Sequence, residues 1–183
     1  MLLQRAKHTA SSNTGHVSGI ALFIHLNTSD AVEPESLPSK ALLRTIVDLA
    51  THLEEMSPED TFVPVPTNIG IDILVPLAAF ILEYPVAYVP NPKQTTFLSQ
   101  VPLDVHEVII SSSGTSHFQL EAFHSLLKFS VPRHLALSHP ACEMKTLQRS
   151  LQEVYTRRAH DAFGATATIT TQHSVQIHDR VAL

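Results

Sequence analysis

TFVPVPTNIGIDILVPLAAFILEYPVAYVP, residues 61–90, decides the fold. It reads as strand, tight turn, helix, turn, strand, close to the minimum length of a crossover unit. It holds no Lys or Arg, and Asp72 and Glu83 are its only charges, with Asp60 at its edge. Residues 62–65 are a short strand bounded by Pro64 and Pro66. Prolines suit a strand end or a sheet edge because they cannot donate to a ladder. Thr67-Asn68-Ile69-Gly70 is the turn. The spacing of Ile73, Leu74, Leu77, Phe80 and Ile81 predicts a helix over 71–83 with a broad apolar face, a deeply buried crossover helix. Residues 85–89 form the returning strand, closed by Pro90-Asn91-Pro92.

Upstream, residues 17–27 (VSGIALFIHLN) read as a strand apolar on both faces. Ile20, Leu22, Ile24 and Leu26 share one face; Val17, Ala21, Phe23 and His25 share the other. Such a strand belongs in the middle of a sheet with cover on both sides. Residues 37–56 form a helix whose Leu42, Ile46, Leu49, Leu53 and Met56 make the buried stripe. Ser36 is its expected N-cap and Pro38 its first-turn proline.

Downstream, residues 91–104 read as a loop and 105–111 (VHEVIIS) as a strand. SSSGTSH, residues 111–117, breaks the pattern. Two readings remain open for 118–131: a helix with Phe118, Ala122, Leu126 and Phe129 on one stripe, or a hairpin of FQLEAF and LLKFSVP. Pro140 then opens the clearest helix, 141–163, with Leu147, Leu151, Val154, Ala159 and Phe163 at helical steps and Gly164 placed as a left-handed C-cap. Residues 165–177 alternate, with Ala165, Ala167, Ile169, Thr171, His173, Val175 and Ile177 on one face and Thr, Gln and Ser on the other. That is a half-buried strand, antiparallel or at an edge. The expected class is α/β: one domain over 16–183, with a mixed sheet covered by three to four helices and a flexible polar N-terminus over 1–15. The alternative class is α+β.

Composition bounds the function. The chain has 183 residues, 44% hydrophobic and 16% charged, a globular balance that implies a sizeable core. The formal net charge is −5 and the Lys and Arg residues are scattered, which disfavours nucleic acid. Twelve His residues move that charge toward positive below about pH 6.5. A single Cys excludes an internal disulfide and fits a reducing compartment. The N-terminus has no apolar core of a signal peptide, and the apolar run 73–82 is far shorter than the ~20 residues a membrane span requires. A cytoplasmic or nuclear protein with no membrane partner is the default.

Four constellations carry candidate chemistry. The turn before the 71–83 helix offers Asn68 and Gly70 as anion ligands and Asp72 as a catalytic carboxylate, since a helix N-terminus exposes backbone N–H groups. Asp72 itself repels a phosphate there, so the plainer reading is Thr67 or Asn68 as N-cap and Asp72 as a dipole partner. In the 111–117 loop, Gly114 and the hydroxyls suit an anion, and Ser113 or Ser116 beside His117 suits nucleophilic chemistry. No G-x-S-x-G elbow accompanies them, and a plain flexible turn is the competing account. His134, His139 and Cys142, at H-x4-H-x2-C spacing, supply three ligands of a zinc site, against scattered surface histidines. Cys142 at a helix start is a candidate reactive thiol, against a structural one. His25 and His173 read as satisfied core histidines.

No motif is specific to one activity, and no cofactor is implied. The favoured reading is a non-enzymatic interaction protein, a subunit or adaptor with a protein partner or a second copy of itself, its hint being the strand edge at 165–177. The alternative is a small hydrolase or transferase whose site is formed by loops 66–72 and 111–117.

Overall fold

The structure, a computed structural model, describes residues 22–26, 33–35, 37–57, 59, 65–94, 97–112 and 123–179. The described residues fall into two compact units, one ending at Phe97 and the other beginning at Leu98.

The first unit contains β1 (Leu22–Leu26), β2 (Glu33–Glu35), α1 (Lys40–Glu55), α2 (Ile71–Ile81) and β3 (Val86–Pro90). Its sheet has the order β2-β1-β3, with β1 antiparallel to β2 and parallel to β3. β1 is central, and Leu22, Phe23, Ile24 and Leu26 are all buried, as a strand apolar on both faces requires. α1 starts at Ser39, whose hydroxyl accepts the Leu42 N–H at 3.2 Å. That corrects the expected cap at Ser36, which lies outside the described residues, and puts Pro38 before the helix. Leu42, Ile46, Leu49 and Ala50 of α1 pack with Ile73, Leu77 and Phe80 of α2, Phe23 of β1 and Ala87 of β3 in one core. Each large side chain of that set contributes about 1.5–3 kcal/mol by leaving water.

The opening segment needs three corrections. β3 takes β1 as its parallel partner, so the crossover carries both helices. The strand expected at 62–65 is not among these corrections, since residues 62–64 lie outside the described residues; Val65 is not in a strand. Gly70, rather than Thr67 or Asn68, is the N-cap of α2, and its carbonyl accepts from Ile73 and Leu74. α2 buries only one side: Ile73, Pro76, Leu77 and Phe80 are in the core, whereas Ile71, Leu74 and Ile81 are exposed. Its C-terminus closes with Tyr84 N–H to Ala79 O and Glu83 N–H to Phe80 O, and Glu83 adopts φ 59°. That is a Schellman arrangement with Glu where glycine is usual.

The second unit contains β4 (Pro102–Ser112), β5 (His124–Pro132), α3 (Arg133–Ser138), a 3-10 turn (Pro140–Cys142), α4 (Met144–Phe163) and β6 (Ala167–Ile177). Its sheet is antiparallel, in the order β5-β4-β6. β4 begins three residues earlier than the apolar pattern suggests, because Leu103 and Asp104 are buried and paired on both sides. Of the two readings for 118–131, the described part is extended and pairs with β4; residues 118–122 lie outside the described residues. α3 is an element the sequence reading missed. α4 runs against β6 and β4 and buries Leu147, Leu151 and Ala159. Gly164 follows it at φ 74°, ψ −166°, a positive-φ cap as expected but in the extended region that only glycine occupies readily, not the left-handed helical one.

The class read from the sequence holds, α/β with α+β as its alternative: the described residues form parallel and antiparallel strands, four α-helices and a last strand that, among them, is both antiparallel and at an edge. Among the described residues the strands are shared between two three-stranded sheets instead of forming one. Among the described residues no helix is long and apolar enough to cross a membrane. The N-terminal residues 1–15 lie outside the described residues.

Candidate functional site

β6 is the site the sequence reading pointed to, and its geometry follows from its composition. Ala167–Ile177 holds no Pro, Gly, Lys, Arg, Asp or Glu. With nothing to interrupt the ladder, it pairs with β4 without a register shift from Ser112↔Ala167 to Pro102↔Ile177. Alternation holds from Ala167 to His173, where α4 covers the sheet, and then fades: Val175 is 45% and Ile177 59% exposed.

The other side of β6 faces away from β4. In an antiparallel ladder alternate residues turn both backbone groups toward the neighbour. The Ile169 carbonyl accepts from the Gln152 side chain of α4 at 2.8 Å, while the His178 carbonyl just past the strand accepts from Gln100 on the β4 side; continuing that alternation turns the even-numbered residues of β6 toward β4 and the odd-numbered ones outward. Thr171, His173, Val175 and Ile177 therefore present their N–H and C=O groups to the open side, and those groups have no partner among the described residues. Just past the strand, Gln100 N–H bonds His178 O at 2.9 Å and Gln100 Nε2 bonds Asp179 Oδ1 at 2.7 Å. The end of β6 is thus tied back to the entrance of β4, which holds the open segment in place.

Behind this edge lies a buried polar cluster. Asp104 and His106 of β4, His173 of β6 and Phe129 of β5 share one face of the sheet, because His106 is paired with both His173 and Phe129. His173 Nε2 lies 2.7 Å from Asp104 Oδ1, and Arg133 Nη1 at the start of α3 lies 3.7 Å from the same oxygen. These two partners compensate a carboxylate that is only 5% exposed. His106 is 1% exposed and stacks on Phe129 with centroids 5.2 Å apart and planes 15° apart. The His173 ring lies 5.2 Å away at 48°. Burial, and then the neighbouring His173, push the His106 pKa down to about 4, with Asp104 opposing. His106 is thus neutral at neutral pH, and neither ring nitrogen has a hydrogen-bond partner among the described residues. It serves as an aromatic core residue at the cost of two unsatisfied polar atoms.

Sequence reading singled out His173 and missed Asp104 and His106. The D-x-H alternation in β4 was the available signal, but the register that brings it to His173 is a long-range property. Toward the opposite face Val105, Glu107, Lys128, Gln172, His173, Ser174 and Gln176 line a hollow of about 60 Å³. That holds a few waters rather than an organic substrate.

The other candidates are distributed as follows. Asn68 and Gly70 are exposed in the turn before α2, and Asp72 lies in its first turn. A Cβ on Gly70 would meet the Asp72 carboxylate, so Gly70 is the residue that lets Asp72 fold back over the helix start. That geometry matches the dipole-partner reading of Asp72. Ser113, Gly114, Ser116 and His117 lie outside the described residues. His134 is exposed on α3, His139 follows it, and Cys142 is fully buried in the 3-10 turn. Among the described residues no three His, Cys, Asp or Glu side chains are grouped to hold a metal ion. Burial pushes the Cys142 thiol up to about 11, the reverse of the activation a helix start would give. The exposed apolar residues Ile71, Leu74 and Ile81 of α2 are a second surface feature.

Comparison of the chain with protein-family models, with characterised proteins and with solved structures found no match.

Proposed function

We propose that this protein works without catalysis, as an interaction module that accepts a partner strand on the outer edge of β6. The observation that carries the reading is the length and chemistry of that edge: an uncharged, Pro-free strand whose outward backbone groups at Thr171, His173, Val175 and Ile177 have no partner among the described residues. Such an edge is a template for strand addition unless charge, proline or a bulge blocks it. The buried cluster supports the same reading from the chemical side. His106 is a neutral core aromatic, and His173 spends one ring nitrogen on Asp104. Neither arrangement presents a nucleophile next to a base.

Val175→Pro tests this directly. Its N–H points away from β4, so proline removes a donor from the open edge while leaving the β4 ladder intact. Full-length protein and the variant are each immobilised and the retained proteins quantified. With free copies of this chain present in the applied sample, proteins retained by the wild type and lost by Val175→Pro, a second copy counted among them, are the expected result. Identical retained sets would remove the β6 edge from the function.

A further inference from the structure

We infer that the strand added to β6 is the β6 of a second copy of this chain, in antiparallel register about Ser174. This rests on the reading of the β6 edge as the interaction surface and goes further by naming its occupant.

The register follows from what is open. The Gln152 side chain sits against the Ile169 carbonyl, so among the described residues the free edge begins at Thr171 and runs to Ile177, where the strand ends. A two-fold axis that pairs this whole span with itself passes through its midpoint, Ser174. Thr171 then meets Ile177 of the second copy, and His173 meets its Val175. These are the residues whose backbone groups face outward, so each such pair exchanges two backbone hydrogen bonds.

The side chains match in the same register. On the face shared with His106, the exposed Val175 and Ile177 are covered by His173 and Thr171 of the second copy, removing apolar surface from water. On the other face Gln172 meets Gln176 and Ser174 meets Ser174, each pair able to both donate and accept. No Asp, Glu, Lys or Arg enters the paired span, so two identical strands approach without like-charge repulsion. A shift that centred the axis on His173 would oppose two histidines and extend the pairing onto the carbonyl that Gln152 already holds. The product is a six-stranded antiparallel sheet made of two copies.

The experiment uses the full chain and Ser174→Cys. Ser174 would face itself as a non-hydrogen-bonded pair, at a Cα separation of about 4.5 Å that a disulfide spans. The only native cysteine, Cys142, is buried and does not compete. On mild oxidation with oxidised glutathione, Ser174→Cys is expected to run as a covalent dimer on a non-reducing gel. Gln172→Cys alone is expected to stay monomeric, and Gln172→Cys with Gln176→Cys to cross-link. Light scattering on the unmodified chain is expected to give twice the mass of one chain. A monomeric mass together with no cross-link in Ser174→Cys would overturn the second copy as occupant. Cross-linking of Gln172→Cys as efficient as that of Ser174→Cys would overturn the register. The Val175→Pro retention experiment separates the two levels: partners still lost in that variant would keep the edge as the interaction surface with a different occupant.

Discussion

β5 and β6 lie on either side of β4 in the same sheet, and their outer edges are built differently. The β4–β5 register slips between Val108 and Ile109, leaving Leu126 unpaired. β5 also carries Lys128, 3.6 Å from Glu107 across the strand pair, and it ends in Pro132, which passes straight into α3. Bulge, lysine and proline are three separate devices that discourage a strand from adding to an edge. β6 has none of them. Its pairing is continuous over the whole strand, it is uncharged, and its last residues are held in line by the Gln100–Asp179 contacts. Among the described residues one edge of the sheet carries these devices and the other carries none, and the difference lies in a handful of side chains.

Giving β6 what β5 already has breaks that asymmetry. Val175→Lys puts a charge in the middle of the open span, and self-association measured by sedimentation is expected to weaken at least about a hundredfold, near 2.7 kcal/mol. The monomer's melting temperature should hardly move, because Val175 is exposed.

Next in size is the acid response of the cluster behind the edge. His106 titrates at about 4 when folded and near 6.5 when unfolded, so the unfolded chain binds the proton first. Its contribution is complete above pH 6.5 and is lost as pH falls from 6.5 toward 4. Between pH 7 and pH 5 the loss is about 2 kcal/mol. His106→Leu, which keeps an apolar body beside Phe129, should flatten this part of the denaturation profile; an unchanged acid slope would place the sensitivity elsewhere.

Gly164→Ala tests the entry to β6. A Cβ there meets no atom within 4 Å, so only the backbone at φ 74° resists it. A loss of about 1–2 kcal/mol by chemical denaturation is expected, with cross-linking of Ser174→Cys retained. The smallest effect belongs to the closed edge. Lys128→Ala removes an exposed ion pair worth less than about 1 kcal/mol and should leave self-association unchanged.

Much of this was legible along the chain, because it is local. The alternation of 165–177 gave the length and half-buried character of β6, and the i, i+4 spacing of Leu147 and Leu151 gave α4. β1 was read as a central strand because both its faces are apolar. Strand partners were not legible. That β3 returns to β1, that the strands divide between two sheets, and that His106 meets His173 are all set by pairings between distant segments. The sequence marks both histidines only as polar residues in apolar strands. The Ser39 cap was missed for a local reason, since Ser36 and Ser39 both precede the helix and Pro38 fits either frame. Glu83 hid the end of α2 because glycine is the usual marker there.

The most direct measurement of the open edge is amide hydrogen exchange, followed by NMR on the full chain at low and high protein concentration. Thr171, His173, Val175 and Ile177 donate outward from β6, and the added strand would take those donors. Their exchange is predicted to slow as concentration rises, while Lys128 and Ser130 on β5 do not change. Exchange at the four β6 amides that is independent of concentration, or protection appearing along β5 instead, would contradict a β6 edge that pairs with a second copy.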